Sequence, residues 1–158
     1  MKIALFDPYN GKFTREMQLW WQARGDEVRF SQYYNPANVI WADLVWFDTG
    51  DNNLMSGTNP SSAILDDASN FSPWDMHDMD LSEKRVIVRA IDIEVWQGHL
   101  NGVKWDVVDE LIFIADHIRT IVDENELNMR RENMGVHTIE CGVAIDKWNY
   151  REHQKGFN

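Results

Sequence analysis

Two short apolar runs, Val86-Ile87-Val88 and Leu111-Ile112-Phe113-Ile114-Ala115, restrict the fold of this chain more than any other feature. Neither alternates with polar residues. An unbroken run of this length suits a strand covered on both faces, as in a parallel sheet flanked by helices. Each run ends abruptly in polar residues: Arg89, Asp92 and Glu94 follow the first, and Asp116, His117 and Arg119 follow the second. In an open parallel sheet the carboxyl ends of the strands form the edge where ligands bind. Those two endings are the first places to look for function.

The rest of the chain repeats the plan. An apolar run over residues 2–6 stops at Asp7-Pro8, and Tyr9-Asn10-Gly11-Lys12 makes a turn in which Asn-Gly supplies positive φ at little cost. Thr14 is placed to cap a helix whose Phe13, Met17, Trp20, Trp21 and Arg24 recur at helical spacing, with Gly25 as its stop. Strands are predicted over 27–30, 43–47, 85–89, 111–115 and 136–140, and helices over 37–41, 103–108 and 116–122, the last capped by Asp116. Residues 49–73 are rich in Asn, Ser, Asp, Gly and Pro and read as loop, with one helical turn near 63–65. A loop of that length is usually functional or disordered. Residues 124–132 read as a solvated helix or loop, and the polar tail 147–158 as a linker. The expected fold is α/β: a three-layer domain over residues 1–146 with a mainly parallel sheet and helices on both faces.

Charge and cysteine content narrow the function classes. With 26 acidic against 15 basic residues the net charge is −11, and the basic residues are scattered. Such a field opposes direct binding to nucleic acid or to an anionic membrane surface. A single cysteine, Cys141, leaves no intramolecular disulfide and suits a reducing compartment. The N-terminal apolar run is too short for a signal peptide, and no segment approaches the roughly 20 apolar residues that span a bilayer. The expectation is a soluble, cytoplasmic protein. Most of the eight tryptophans are expected in the core.

Several residue groups have chemical potential beside a plainer reading. Asn10, Gly11 and Lys12 offer N–H groups and an ammonium to a phosphate, or simply connect a strand to a helix; the second reading is favoured because no GxGxxG or GK[ST] pattern is present. Asp48, Asp51, Asn52 and Asn53 suit sugar hydroxyls or a hard cation, but without EF-hand spacing they read better as a solvated acidic loop. Arg89 can hold a phosphate or carboxylate by its fork, with Asp92 or Glu94 as the base, or the three can form a structural ion pair. The five histidines lack metal spacing and there is no GxSxG elbow, so neither a metal, a cofactor nor a serine nucleophile is expected.

Taken in order, five stretches resemble the N-terminal domain of a GT-B glycosyltransferase, the type with two Rossmann-like domains, and family four in particular. They are MKIALFDP, ARGDEVRF, ADLVWFD, the pair VIVRAIDIEVW and VDELIFIADHIR, and CGVAIDKW. The resemblance implies a Rossmann-like, acceptor-side domain that works against a donor-binding domain across a cleft. It makes Asp92 and Glu94 the catalytic candidates, and Asn10, Gly11, Lys12, Asp48, Arg89 and His117 the substrate-binding ones. The partners implied are a sugar acceptor and, only together with a second domain or chain, a nucleotide-sugar; a homo- or hetero-oligomer is compatible. Gly142–Trp148 matches the segment that precedes the second domain, which implies that the donor-binding half lies outside these 158 residues. Two departures stand out. Ile91 replaces the histidine common after the central-strand arginine, and Glu140-Cys141 replaces Pro-Asn.

Two other readings compete. Asp7 and Asp48, each ending a strand, look like the acidic positions of a response-regulator receiver. The second acid, hydroxyl and lysine that a receiver needs are replaced here by Pro8, Ala90 and Asp116. A non-catalytic Rossmann-like binding subunit would use the same residues without turnover.

Overall fold

The computed structural model describes residues 1–12, 14–48, 80–91, 105–124 and 134–140. Its elements in chain order are β1 (Lys2–Phe6), α1 (Arg15–Ala23), β2 (Glu27–Ser31), α2 (Pro36–Trp41), β3 (Leu44–Phe47), β4 (Arg85–Ala90), a 3-10 turn (Trp105–Val107), β5 (Glu110–Phe113), α3 (Asp116–Glu124) and β6 (Gly135–Thr138). The six strands form one open sheet in the order β2-β1-β3-β4-β5-β6, and every neighbouring pair is parallel. The chain is thus an α/β domain of Rossmann-like form, as the apolar runs predicted.

Local chemistry sets the element ends. Asn35 caps α2, its Oδ1 accepting from the N–H groups of Ala37 at 3.0 Å and Asn38 at 3.3 Å, and Pro36 fills the first helical position. Gly25 stops α1 with φ of 86°. The strand boundaries differ from expectation by one or two residues. The helix expected over 103–108 is, within the described residues, a single 3-10 turn over Trp105–Val107. Residues 13, 49–79, 92–104, 125–133 and 141–158 lie outside the described residues, and with them Phe13, Asp51, Asn52, Asn53, Asp92, Glu94, Cys141, the Gly142–Trp148 match and the 147–158 tail.

Strand periodicity divides the core into two layers. On one face Ala4, Phe6, Val45, Phe47, Val86, Val88, Leu111 and Phe113 pack under Val39 of α2, Trp105 of the 3-10 turn, and Ile118 and Val122 of α3. On the other, Ile3, Leu5, Leu44, Trp46, Ile87 and Ile112 pack with Trp21 of α1. Burying each Val, Leu, Ile or Phe side chain among them contributes about 1.5–3 kcal/mol. Phe6 stacks on Phe47 with ring centroids 5.1 Å apart, and Trp21 meets Trp46 edge-on at 5.7 Å. Among the described tryptophans, Trp21, Trp46 and Trp105 are core, but Trp20 is 56% exposed. One residue is a 100° step around the helix, and here Trp21 falls on the buried stripe while Trp20 lies at its solvent side. The Arg24 guanidinium covers Trp20 instead, 4.5 Å from the ring.

Candidate functional site

The strand order reverses direction at β1. The chain goes from β1 outward to β2, then returns over β1 to place β3 on its other side. The carboxyl ends of β1 and β3 therefore flank a topological switch point, the usual ligand crevice of an open α/β sheet. The first residue beyond each of these strands is an aspartate: Asp7 follows Phe6 and Asp48 follows Phe47. On the next strand, Val88 pairs with Phe47, so Arg89 sits beside Asp48. Register alone gathers Asp7, Asp48 and Arg89 from three neighbouring strands. The side chains of Asp7 and Asp48 are fully buried, as is Thr14.

Asp7 organises the chain leading into α1. Its Oδ1 accepts from the Tyr9 N–H at 2.7 Å, and its Oδ2 accepts from the Thr14 hydroxyl at 2.8 Å. Thr14 does occupy the N-cap of α1, but its hydroxyl goes to Asp7 and makes no capping bond. Between them the turn winds tightly. Asn10 and Gly11 take φ of 58° and 77°, and the N–H groups of Asn10 and Lys12 donate to the carbonyls of Asp7 and Tyr9. Those donors are spent inside the turn, which favours the plain strand–helix connection over a phosphate cradle. Asn10 and Lys12 are exposed, and Gly11 is half-buried.

Asp48 is held more tightly than a solvated loop residue. The Arg89 Nη2 donates to its Oδ2 at 2.9 Å, and the Trp46 indole N–H donates to its Oδ1 at 3.3 Å. Arg89 Nε lies 2.8 Å from Oδ1 but out of line with it. That contact is electrostatic and not a second hydrogen bond. The solvated reading of Asp48 thus fails, because it is fully buried against Trp46 and Arg89 at the end of β3 instead of in water. Arg89 does form an ion pair, with a carboxylate 41 residues away. Burial pushes the Asp48 carboxyl from 3.8 up to about 7; the Arg89 charge opposes the rise and the neighbouring Asp7 charge adds to it. The Asp48 carboxyl is thus pushed toward its neutral form in spite of the Arg89 charge beside it.

The remaining sequence candidates are dispersed. His117 is exposed in the first turn of α3, whose buried residues pack on the sheet face opposite Trp46. The structure thus brings Asp48 and Arg89 together and ties the Asn10–Lys12 turn to them through Asp7. It leaves His117 on the same sheet edge but with a helix of the other face. Thr14 and Trp46 were missed as site residues, and Asp7 was considered only for a receiver. For Asp7 a signal was present: a lone acidic residue closing an unbroken apolar strand, as at Asp48. Among the described residues no group of three or more acidic, histidine or cysteine side chains is placed to hold a metal ion, and no helix is long and apolar enough to cross a membrane. In comparisons with known proteins, no family model, no curated protein and no solved structure matches the chain.

Proposed function

We propose that this chain is the acceptor-side domain of a nucleotide-sugar-dependent glycosyltransferase, working against a donor-binding domain supplied elsewhere. The observation that carries this reading is the Asp7–Asp48–Arg89 group at the switch-point edge of an all-parallel sheet. These buried, internally bonded side chains hold rigid the strand ends that border the crevice, the edge where open α/β sheets take their ligands. The ordered segment resemblance supports the same assignment. Glycosyl transfer requires the donor diphosphate to be neutralised and the acceptor hydroxyl aligned with the anomeric carbon, which is positional and electrostatic work divided between two walls. In this reading Asp92 and Glu94, which follow β4 in the sequence, supply the base, and Asp48 holds Arg89 in place at the strand ends.

The receiver alternative loses ground. A phospho-acceptor needs an accessible carboxylate oxygen, whereas Asp48 is buried with its two oxygens against Arg89 and Trp46. The test is calorimetry and turnover with a panel of nucleotide-sugars and acceptor glycosides. Residues 1–158 should bind an acceptor glycoside, bind nucleotide-sugars weakly, and turn over only when a donor-binding domain is added. Tight donor binding with steady turnover by the chain alone would refute the proposal.

A further inference from the structure

One side of the sheet ends at β2, which pairs with β1 and, among the described residues, with no other strand. Its backbone groups alternate in direction. The Glu27 N–H donates to Met1 O, and Ser31 O accepts from the Asp7 N–H, so residues 27, 29 and 31 turn their N–H and C=O groups toward β1. Val28 and Phe30 therefore turn theirs outward, where no described strand meets them. Such an edge is a template for another strand.

The side chains alternate as well. Glu27 stands opposite Lys2 and Arg29 opposite Ala4, so both lie on the sheet face that α2 covers. Both are exposed, and neither has an ion-pair partner among the described residues. The Arg29 guanidinium lies over the Trp41 ring, 4.0 Å from its centroid. Stacking uses the flat face of a guanidinium and leaves the N–H groups of its rim for a carboxylate. Charges on an edge strand ordinarily discourage pairing. Here they are opposite in sign and two residues apart on one face, a pattern that antiparallel pairing makes complementary to itself.

Few registers are open to two copies of β2 related by a two-fold axis. In an antiparallel ladder, opposed residues share a face, and both turn their backbone groups toward the partner strand or both away from it. The axis therefore passes beside a single residue, which faces its own copy. Centred on Glu27 or Arg29, it sets like charges against each other. Centred on Phe30 or Ser31, it places neither charge opposite the other. Centred on Val28, it sets Glu27 of each copy opposite Arg29 of the other. Val28 then exchanges both N–H···O bonds with its copy, through the groups that already point outward. Glu27 and Arg29 form the non-hydrogen-bonded pairs, in which side chains stand closest. Backbone direction and charge select the same register.

We propose that two copies of this chain join edge to edge through β2, antiparallel and centred on Val28, so that their two sheets run on into one. The carboxyl ends of the strands in the two copies then face opposite directions, which points the two switch-point edges away from each other. The joined strip is five residues long, so the contact is a weak one. At 0.15 M salt the Debye length is about 8 Å, which screens the net charge of −11 on each copy and leaves the adjacent Glu27–Arg29 pairs within reach.

Sedimentation velocity on the full chain at this salt, up to about 1 mM, tests the contact. The wild type should pass from monomer toward dimer as concentration rises. Glu27→Arg and Arg29→Glu each make both cross-strand pairs repulsive, so each variant alone should associate about thirtyfold more weakly. An equal mixture of the two restores both opposite-charge pairs in the mixed dimer and should associate about as tightly as the wild type. Hydrogen exchange on the wild type locates the contact without any substitution: the Val28 amide should gain protection with concentration, and the Arg29 amide, turned toward β1, should not. A wild type that stays monomeric, a mixture that associates no better than its components, or a dimer in which Val28 gains no protection would each overturn the proposal.

Discussion

Replacing Asp48 by asparagine isolates the effect of a titrating carboxyl buried at the end of β3. Burial raises the Asp48 carboxyl from 3.8 to about 7. Between those values the folded chain holds a proton that the unfolded chain releases. A raised folded-state value contributes stability that is fully present below pH 3.8 and is lost as pH rises through about 7. The gap of about three pH units corresponds to about 4 kcal/mol, and because the side chain is fully buried no solvent discount applies. Asparagine has nearly the shape of the protonated acid and cannot titrate. The Asp48→Asn variant should therefore lack this slope while keeping the rest of the protein's pH dependence.

The difference between the two proteins is the useful quantity, since any constant loss at Arg89 cancels from its slope. Urea unfolding at intervals from pH 4 to pH 8.5 should show the variant gaining on the wild type by up to about 1.4 kcal/mol per pH unit, levelling off above pH 7 at about 4 kcal/mol in total. Parallel stability curves would mean that Asp48 is ionised throughout. A difference of opposite sign would mean that the Arg89 attraction outweighs burial. Either result refutes the reasoning.

Three further substitutions probe the frame around the site. Thr14→Val removes the donor to Asp7 Oδ2 and leaves a buried carboxylate oxygen short of a partner, so urea unfolding should show a loss of about 1–3 kcal/mol. Phe47→Ala empties a fully buried position stacked on Phe6, with an expected loss of about 3–5 kcal/mol by the same measurement. Gly25→Ala places a side chain at φ of 86°, where nothing lies within 4 Å of the new Cβ; thermal unfolding should show a loss of about 1 kcal/mol from backbone strain alone.

The parallel sheet was legible because its evidence is local. An unbroken run such as Leu44–Phe47, too short for a buried helix, suits a strand with two covered faces, and all four of its residues are buried. The turn at Asn10-Gly11 was legible for the same reason, since both residues adopt the positive φ that their chemistry permits. Pairings across the sheet were not legible. Asp48 and Arg89 meet because β4 lies next to β3, and Arg85 and Glu110 meet because β5 lies next to β4. A sequence shows that strands exist but not which edges join. Thr14 misled for a subtler reason: its N-cap position was visible, but the competing acceptor seven residues earlier became available only once β1 and α1 were packed.

Occupation of Arg89 by Asp48 bears directly on what the switch-point edge can bind. Arginine recognises phosphate through the same fork that it offers a carboxylate. An anion must therefore compete with Asp48 for that fork. The competition eases when Asp48 is protonated, because a neutral carboxyl holds a guanidinium far more weakly. With Asp48 titrating at about 7, about nine-tenths of the molecules carry the proton at pH 6 and about one-tenth at pH 8. An anion whose own charge is constant over this range should bind at Arg89 about tenfold more tightly at pH 6 than at pH 8. Sulfate meets that condition, and the Arg89 Nε–H resonance reports its arrival. In Asp48→Asn the affinity should be independent of pH and close to the wild-type value at pH 6. Equal sulfate affinity at both pH values in the wild type, or a pH dependence that persists in Asp48→Asn, would show that Asp48 does not control access to Arg89.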